Sequence, residues 1–473
     1  MYQLYKNHKL MILLLFFWVS IWASLNTYPI GVGTILNTLN QSTSLKNDLI
    51  TLVNFFRFYI PIVIFAWLAL SIFKNKNFAF KNNLFINFYI IYIISQFLGL
   101  IFLDINKFNF ERVFLPIFAL ITILCLFIAF NFLDFNKLKK IFFINIFFLI
   151  IISIIYLPVI YRDYFSSSFL FLYNTQTWSQ TFVDDPIIRV TGLARILALI
   201  FIVLMIKLNE NLSKISFIFI FFLLILIGTN IWGLQSRISL MSILIIMILN
   251  LILFSKRIFL RNLTIYILII SASIYSFKGI QILKLELLKR VNISKSYEFK
   301  NYIINKPNRI EEVLDKVIDQ KIEEKELEFI TSARNLIWLK IINNYDYKKI
   351  FGYGPQADRF ELLKEKIDIR NSGFMTNASS SIFYSFICGG YIGLLFFICL
   401  NIYILNLIFH FFKKKIYNHK ENFILNSIFL ILIYIGMRSF VENSHAVFSL
   451  DFLILSSCVI ILDKYLKQNK SNN

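Results

Sequence analysis

Apolar residues run through this chain in long blocks parted by short polar breaks. Twelve blocks approach or exceed the roughly 20 residues a helix needs to cross a bilayer. They lie near 9–25, 50–73, 84–103, 112–131, 141–161, 189–206, 215–233, 238–254, 258–278, 379–409, 422–441 and 446–464. The first follows Lys6 and Lys9, as a secretory leader would. It lacks a clean small-x-small cleavage site and is read as a helix. The expected fold is an all-α polytopic membrane bundle.

The polar breaks are of two kinds. With the N-terminus inside, the inside breaks hold twenty Lys or Arg, from Lys6 to Lys470, against four acids: Asp134, Glu210, Glu421 and Asp463. Cytoplasmic loops are enriched in this way, so both termini are placed in the cytoplasm. Two outside breaks are long. One covers 162–188. The other covers 279–378, and with Lys278 it carries 19 bases against 15 acids. A structureless loop of that length is unusual. After Pro307, apolar residues recur at Ile310, Val313, Leu314, Val317, Ile318 and Ile322, which is a helical period. A second apolar stretch covers 332–345. A turn follows, Phe351-Gly-Tyr-Gly-Pro355, and then Phe360, Leu362, Leu363 and Ile367 suggest a third short helix. The chain thus divides into a membrane bundle over 1–278, a helical outer subdomain over 279–378, and three spans with a cytoplasmic tail over 379–473.

Composition agrees. Of 473 residues, 58% are hydrophobic and only 16% charged, yet the net charge is +21. Soluble domains are about 25% charged, and disorder requires low hydrophobicity. Since most of the excess charge lies on one side, it reads as a topology signal rather than a nucleic-acid patch. Cys125, Cys388, Cys399 and Cys458 all fall within spans, and no Cys/His metal spacing exists. Neither a metal nor a cofactor is expected.

The arginines on the outside carry the chemical signal. Arg189, Arg237, Arg334 and Arg438 sit where positive-inside bias predicts few cations. Arginine beside a span is costly unless it faces protein or water, and its use there is a bidentate clamp on phosphate. Other readings stand beside this one. Arg438 can pair with Glu442 one turn later, and Arg189 and Arg237 can snorkel to the interface. Asp184 and Asp185, before Pro186, are either a general base or a helix-start signal. Trp178, Tyr173 and Tyr353 can stack on sugars or anchor at the interface. His445 is a further candidate base.

In order, R189-V-T-G192, S236-R237, R334-N-L-I-W338, F351-G-Y-G354 and S379-S-S-I-F-Y-S-F-I-C-G-G-Y-I-G393 resemble the O-antigen ligase/polymerase superfamily. R438-S-F-V-E-N443 followed by Asp451 is similar to the polymerase branch. The resemblance covers roughly 185–455. It implies a GT-C-like, metal-independent glycosyltransferase of the bacterial inner membrane. The implied donor is an oligosaccharide on a polyprenyl diphosphate, with a chain-length regulator and a flippase as further partners. It also implies that Arg237 and Arg334 engage the diphosphate, with Arg189 a motif arginine beside them. Ligases of the superfamily carry a His-Asn pair about eleven residues before the span-opening glycine. Here that position holds Ser379 and Ser380, with Asn377 nearby and no histidine. A hydroxyl cannot replace imidazole as a base near neutral pH, so the polymerase is expected over the ligase. Ser379 then either bonds the substrate or caps the helix. A transporter is the rival outside enzymes, but the two halves differ and show no repeat.

Overall fold

The computed structural model describes residues 83–101, scattered helical positions between 117 and 157, 190–210, 212–234, 236–254, 258–292, most of 338–360, 378, 380–413, 422–442, 444 and 450–471. Among the described residues every regular element is a helix. They are α1 (Leu84–Ile101), α2 (Val190–Lys207), α3 (Lys214–Gly233), α4 (Arg237–Phe254), α5 (Phe259–Asn292), α6 (Ala357–Phe360), α7 (Ser381–Lys413), α8 (Asn422–Ser439) and α9 (Leu450–Ser471). Five of them, α1, α3, α4, α5 and α7, contain stretches long and apolar enough to cross a membrane. This is the architecture of a helical membrane protein. The expected spans near 9–25 and 50–73 lie outside the described residues.

Burial separates the helices into a centre and a rim. From Ile196 to Ile206, α2 is apolar all round and almost every side chain is buried. A helix apolar on every face belongs inside a bundle. Helix α8, which packs on α2, α4 and α9, is buried almost as fully. By contrast α3 and α5, which pair with one another, expose Ile215, Phe219, Phe222, Ile267 and Leu268. Such apolar faces suit lipid. At 34 residues, α5 is about 50 Å long at 1.5 Å per residue. It therefore outruns a hydrocarbon layer of about 30 Å. The sequence ends this span at 278; the helix continues to Asn292, carrying Lys284, Glu286, Lys289 and Arg290 beyond it.

Helix α7 is not one helix. The run 379–409 reads as unbroken, but Gly390 stands at φ 63° and ψ −154°, a conformation open chiefly to glycine. The break frees carbonyls that lipid cannot satisfy. The F351-G-Y-G354 turn enters it: the Tyr353 N–H donates to the Ile387 carbonyl at 2.9 Å and the Gly354 N–H to Cys388 at 3.0 Å. Gly352 and Gly354 also hold positive φ. A Cβ at Gly352 would stand 2.5 Å from the Gly390 nitrogen, and one at Gly99 of α1 2.6 Å from the Gly354 nitrogen. Small residues allow this close packing of helix, turn and helix. The turn is thereby fixed into the membrane bundle.

Candidate functional site

One end of the bundle gathers the α2, α4, α7 and α9 N-termini and the α8 C-terminus. At its centre is Asp451, in the first turn of α9, with a side chain 3% exposed. Its Oδ1 lies 3.0 Å from Arg195 Nη1 of α2, and its Oδ2 lies 3.6 Å from Arg438 Nε of α8. Ser444 Oγ donates to Oδ2 at 2.6 Å. Arg438 Nη1 donates to Ser239 Oγ of α4 at 3.1 Å. Ser239 meets the Tyr434 hydroxyl at 3.3 Å and accepts from Ser236 Oγ at 3.0 Å. The network continues to α7, where Ser381 Oγ donates to the Glu442 carbonyl at 3.0 Å.

The helix fields explain part of this arrangement. A carboxylate in a first helical turn and a cation in a last turn are both favoured by the macrodipole. Asp451 and Arg438 occupy those places. Buried ions also require partners and hydrogen bonds to offset lost hydration, which Arg195, Ser444 and Ser239 supply. Arg438 can pair with Glu442 by sequence spacing. The ion pair seen is with Asp451, and Glu442 adds a weaker attraction. The reason is tertiary: α8 and α9 pack together and bring Asp451 across.

Arg237 differs. It is the first residue of α4 and is exposed. Ser236 before it is buried, and its carbonyl accepts the Leu240 N–H at 3.0 Å, the place of a helix N-cap. A cation at this end opposes the macrodipole. Helix stability does not explain Arg237, whereas an anion there would meet both the guanidinium and the N–H groups of the first turn.

The glycine turn and the residues before it add an aromatic cluster. Tyr345 packs at 4.2 Å between ring centroids on Phe386 and at 5.5 Å edge-on to Tyr353. Burial pushes its phenol up from the ordinary range, so it remains a donor, to the Lys349 carbonyl at 2.5 Å. Tyr353 accepts the Asp346 N–H at 2.9 Å, and Lys349 Nζ lies 4.3 Å above its ring. These contacts anchor the Tyr353 ring within the turn.

Of the residues singled out by sequence, the structure brings Arg438 and Glu442 into one network, with Arg237 next to its Ser236 arm. Arg189, Arg334, Trp178, Asn377, Ser379, His445, Asp184 and Asp185 lie outside the described residues. Arg195 was missed. Its signal is an arginine within the apolar run L193-A-R-I-L-A198. Asp358 was missed too: it is buried, and its Oδ2 accepts the Ala378 N–H at 3.1 Å.

Residues 221–398 match the family described as O-antigen ligase. The matched segment runs from α3 through Arg237 and the glycine turn at 352–354 to just past the Gly390 break. The match supports the O-antigen ligase/polymerase superfamily, a glycosyl-transferring group of membrane enzymes that serves polysaccharide biosynthesis. It does not separate polymerase from ligase. No curated protein and no solved structure matches the chain.

Proposed function

We propose that this protein polymerises lipid-linked oligosaccharide repeat units into a surface polysaccharide. It acts at the outer face of a bacterial inner membrane, on a twelve-span, GT-C-like plan with both termini in the cytoplasm. The observation that carries this reading is Arg237: an exposed cation where the helix field disfavours one, next to a buried Arg195–Asp451–Arg438 network. Such a place fits a diphosphate.

The donor is a growing glycan on a polyprenyl diphosphate. A hydroxyl at the non-reducing end of a new lipid-linked unit attacks the anomeric carbon of the donor. The new C–O bond forms as the bond to the diphosphate breaks. Fixed donors at the point of developing charge are an electrostatic form of catalysis; Arg237 holds the departing diphosphate, with Arg334 and Arg189 as its partners. This chemistry needs no metal. The hydroxyl proton passes to a base, for which Glu442, His445, Asp184 and Asp185 are the candidates. Among these, Glu442 is the one within the described network.

A ligase, moving finished glycan to a lipid or protein acceptor, is the second reading, and the family description favours it. Ser379 and Ser380 standing where such ligases carry His-Asn favours the polymerase. Deletion of the gene distinguishes them. The polymerase predicts accumulation of single lipid-linked repeat units. Long lipid-linked polymer left unattached would establish the ligase instead. The polymerase would work beside a flippase and a chain-length regulator.

A further inference from the structure

The backbone of Ala378, just before α7, is held from both sides. Its N–H donates to Asp358 Oδ2 at 3.1 Å, and its carbonyl accepts from Trp338 Nε1 at 3.0 Å. Ala378 is fully buried and Asp358 is 1% exposed. The Trp338 ring also stacks on Phe383 of α7, with centroids 5.2 Å apart. Three residues after Ala378, the Ser381 hydroxyl reaches the Glu442 carbonyl next to Arg438. Asp358 belongs to the segment whose glycine turn fills the α7 break, and Trp338 ends the R334-N-L-I-W338 motif. Two pieces 20 residues apart in sequence therefore hold the two peptide groups that flank Ala378, three residues before Ser381 joins the arginine network.

We propose that Asp358 and Trp338 are positioning residues that clamp Ala378 and so set the start of α7 against the arginine site. This rests on the glycan-transfer reading for its consequence, but not for its geometry. A buried carboxylate is expensive to maintain. For hydrogen-bond acceptance alone an amide suffices, and that makes the role separable from base catalysis. An Asn at 358 keeps an oxygen for the Ala378 N–H; an Ala does not. Removing one partner leaves a buried donor unsatisfied.

The test uses the full-length protein in lipid nanodiscs, with hydrogen exchange read at the peptide covering Ala378. Asp358→Ala should speed that exchange by about tenfold, as local opening becomes easier, while Asp358→Asn leaves it within about threefold. In cells, Asp358→Ala and Trp338→Phe should shorten the glycan ladder at unchanged protein level, and Asp358→Asn should restore it. Unchanged exchange in Asp358→Ala overturns the clamp. Loss of the ladder in Asp358→Asn as complete as in Asp358→Ala overturns positioning, since a charge-bearing role would then be required. If Arg237→Ala gives a normal ladder, glycan transfer falls and the consequence falls with it; the exchange result still judges the clamp.

Discussion

The two ends of the bundle solve the problem of polar groups in opposite ways. At the lysine-rich end, each ion pair is local and its lysine reaches water: Lys207 with Glu210 three residues on, each about a third exposed, and the buried Asp463, which also accepts from Asn83, with Lys467, 60% exposed, four residues on. Deeper in, that end uses neutral amides: Asn262 donates to Asn209 at 2.6 Å, Asn209 to Asn250 at 3.1 Å, and Asn250 meets Tyr266. The arginine end does the reverse. It buries Arg438 and Asp451 almost completely and links them across four helices. Ordinary helix packing does not ask for buried ions, because apolar replacements are often as stable. The lysine-rich end packs the bundle. The arginine end keeps an expensive charge arrangement next to an exposed Arg237, which is what a site for an anionic group requires.

That contrast can be broken by mutation. The largest effect is expected from Asp451→Ala, which strands Arg195 and Arg438. Removing one partner of a buried ion pair costs about 3–5 kcal/mol, so thermal unfolding in detergent should show severe loss of folded protein. Next comes Gly390→Ala. A Cβ there would stand 2.0 Å from the Ile350 carbonyl oxygen in a backbone that L-residues rarely adopt, and the strain alone is about 1–3 kcal/mol. Ser239→Ala removes a hydrogen bond to a charged group and should cost about 1.5–3 kcal/mol. At the other end, Glu210→Gln should cost only about 0.2–0.5 kcal/mol, typical of an exposed helical pair. Raising salt from about 0.1 to about 1 M should erase that last effect, since exposed charges are screened. The Asp451→Ala effect should persist. Equal penalties at the two ends, or equal salt sensitivity, would refute the contrast.

How much of this was legible in the sequence follows from what each feature depends on. Span limits depend on local hydropathy: blocks at 84–103, 215–233 and 238–254 became helices at 84–101, 214–233 and 237–254. Arg237 and Arg438 were visible because they sit near block ends on the side poor in cations. Arg195 was hidden because it lies inside an apolar block. Asp451 was noticed as part of a motif, but its partners come from two other helices, and no spacing rule spans that distance. The α7 break was masked by continuous hydropathy from 379 to 409. Its traces were the Gly389-Gly390 pair and the glycine turn at 352–354, which reveal their connection only when the two segments meet.

The central claim is that Arg237 holds a departing diphosphate. It is tested most directly by Arg237→Ala in cells that make the native polysaccharide, with the glycan ladder read on a gel alongside the amount of membrane-inserted protein. Loss of long chains at unchanged protein level is the predicted result. A normal ladder from well-expressed Arg237→Ala protein would contradict it.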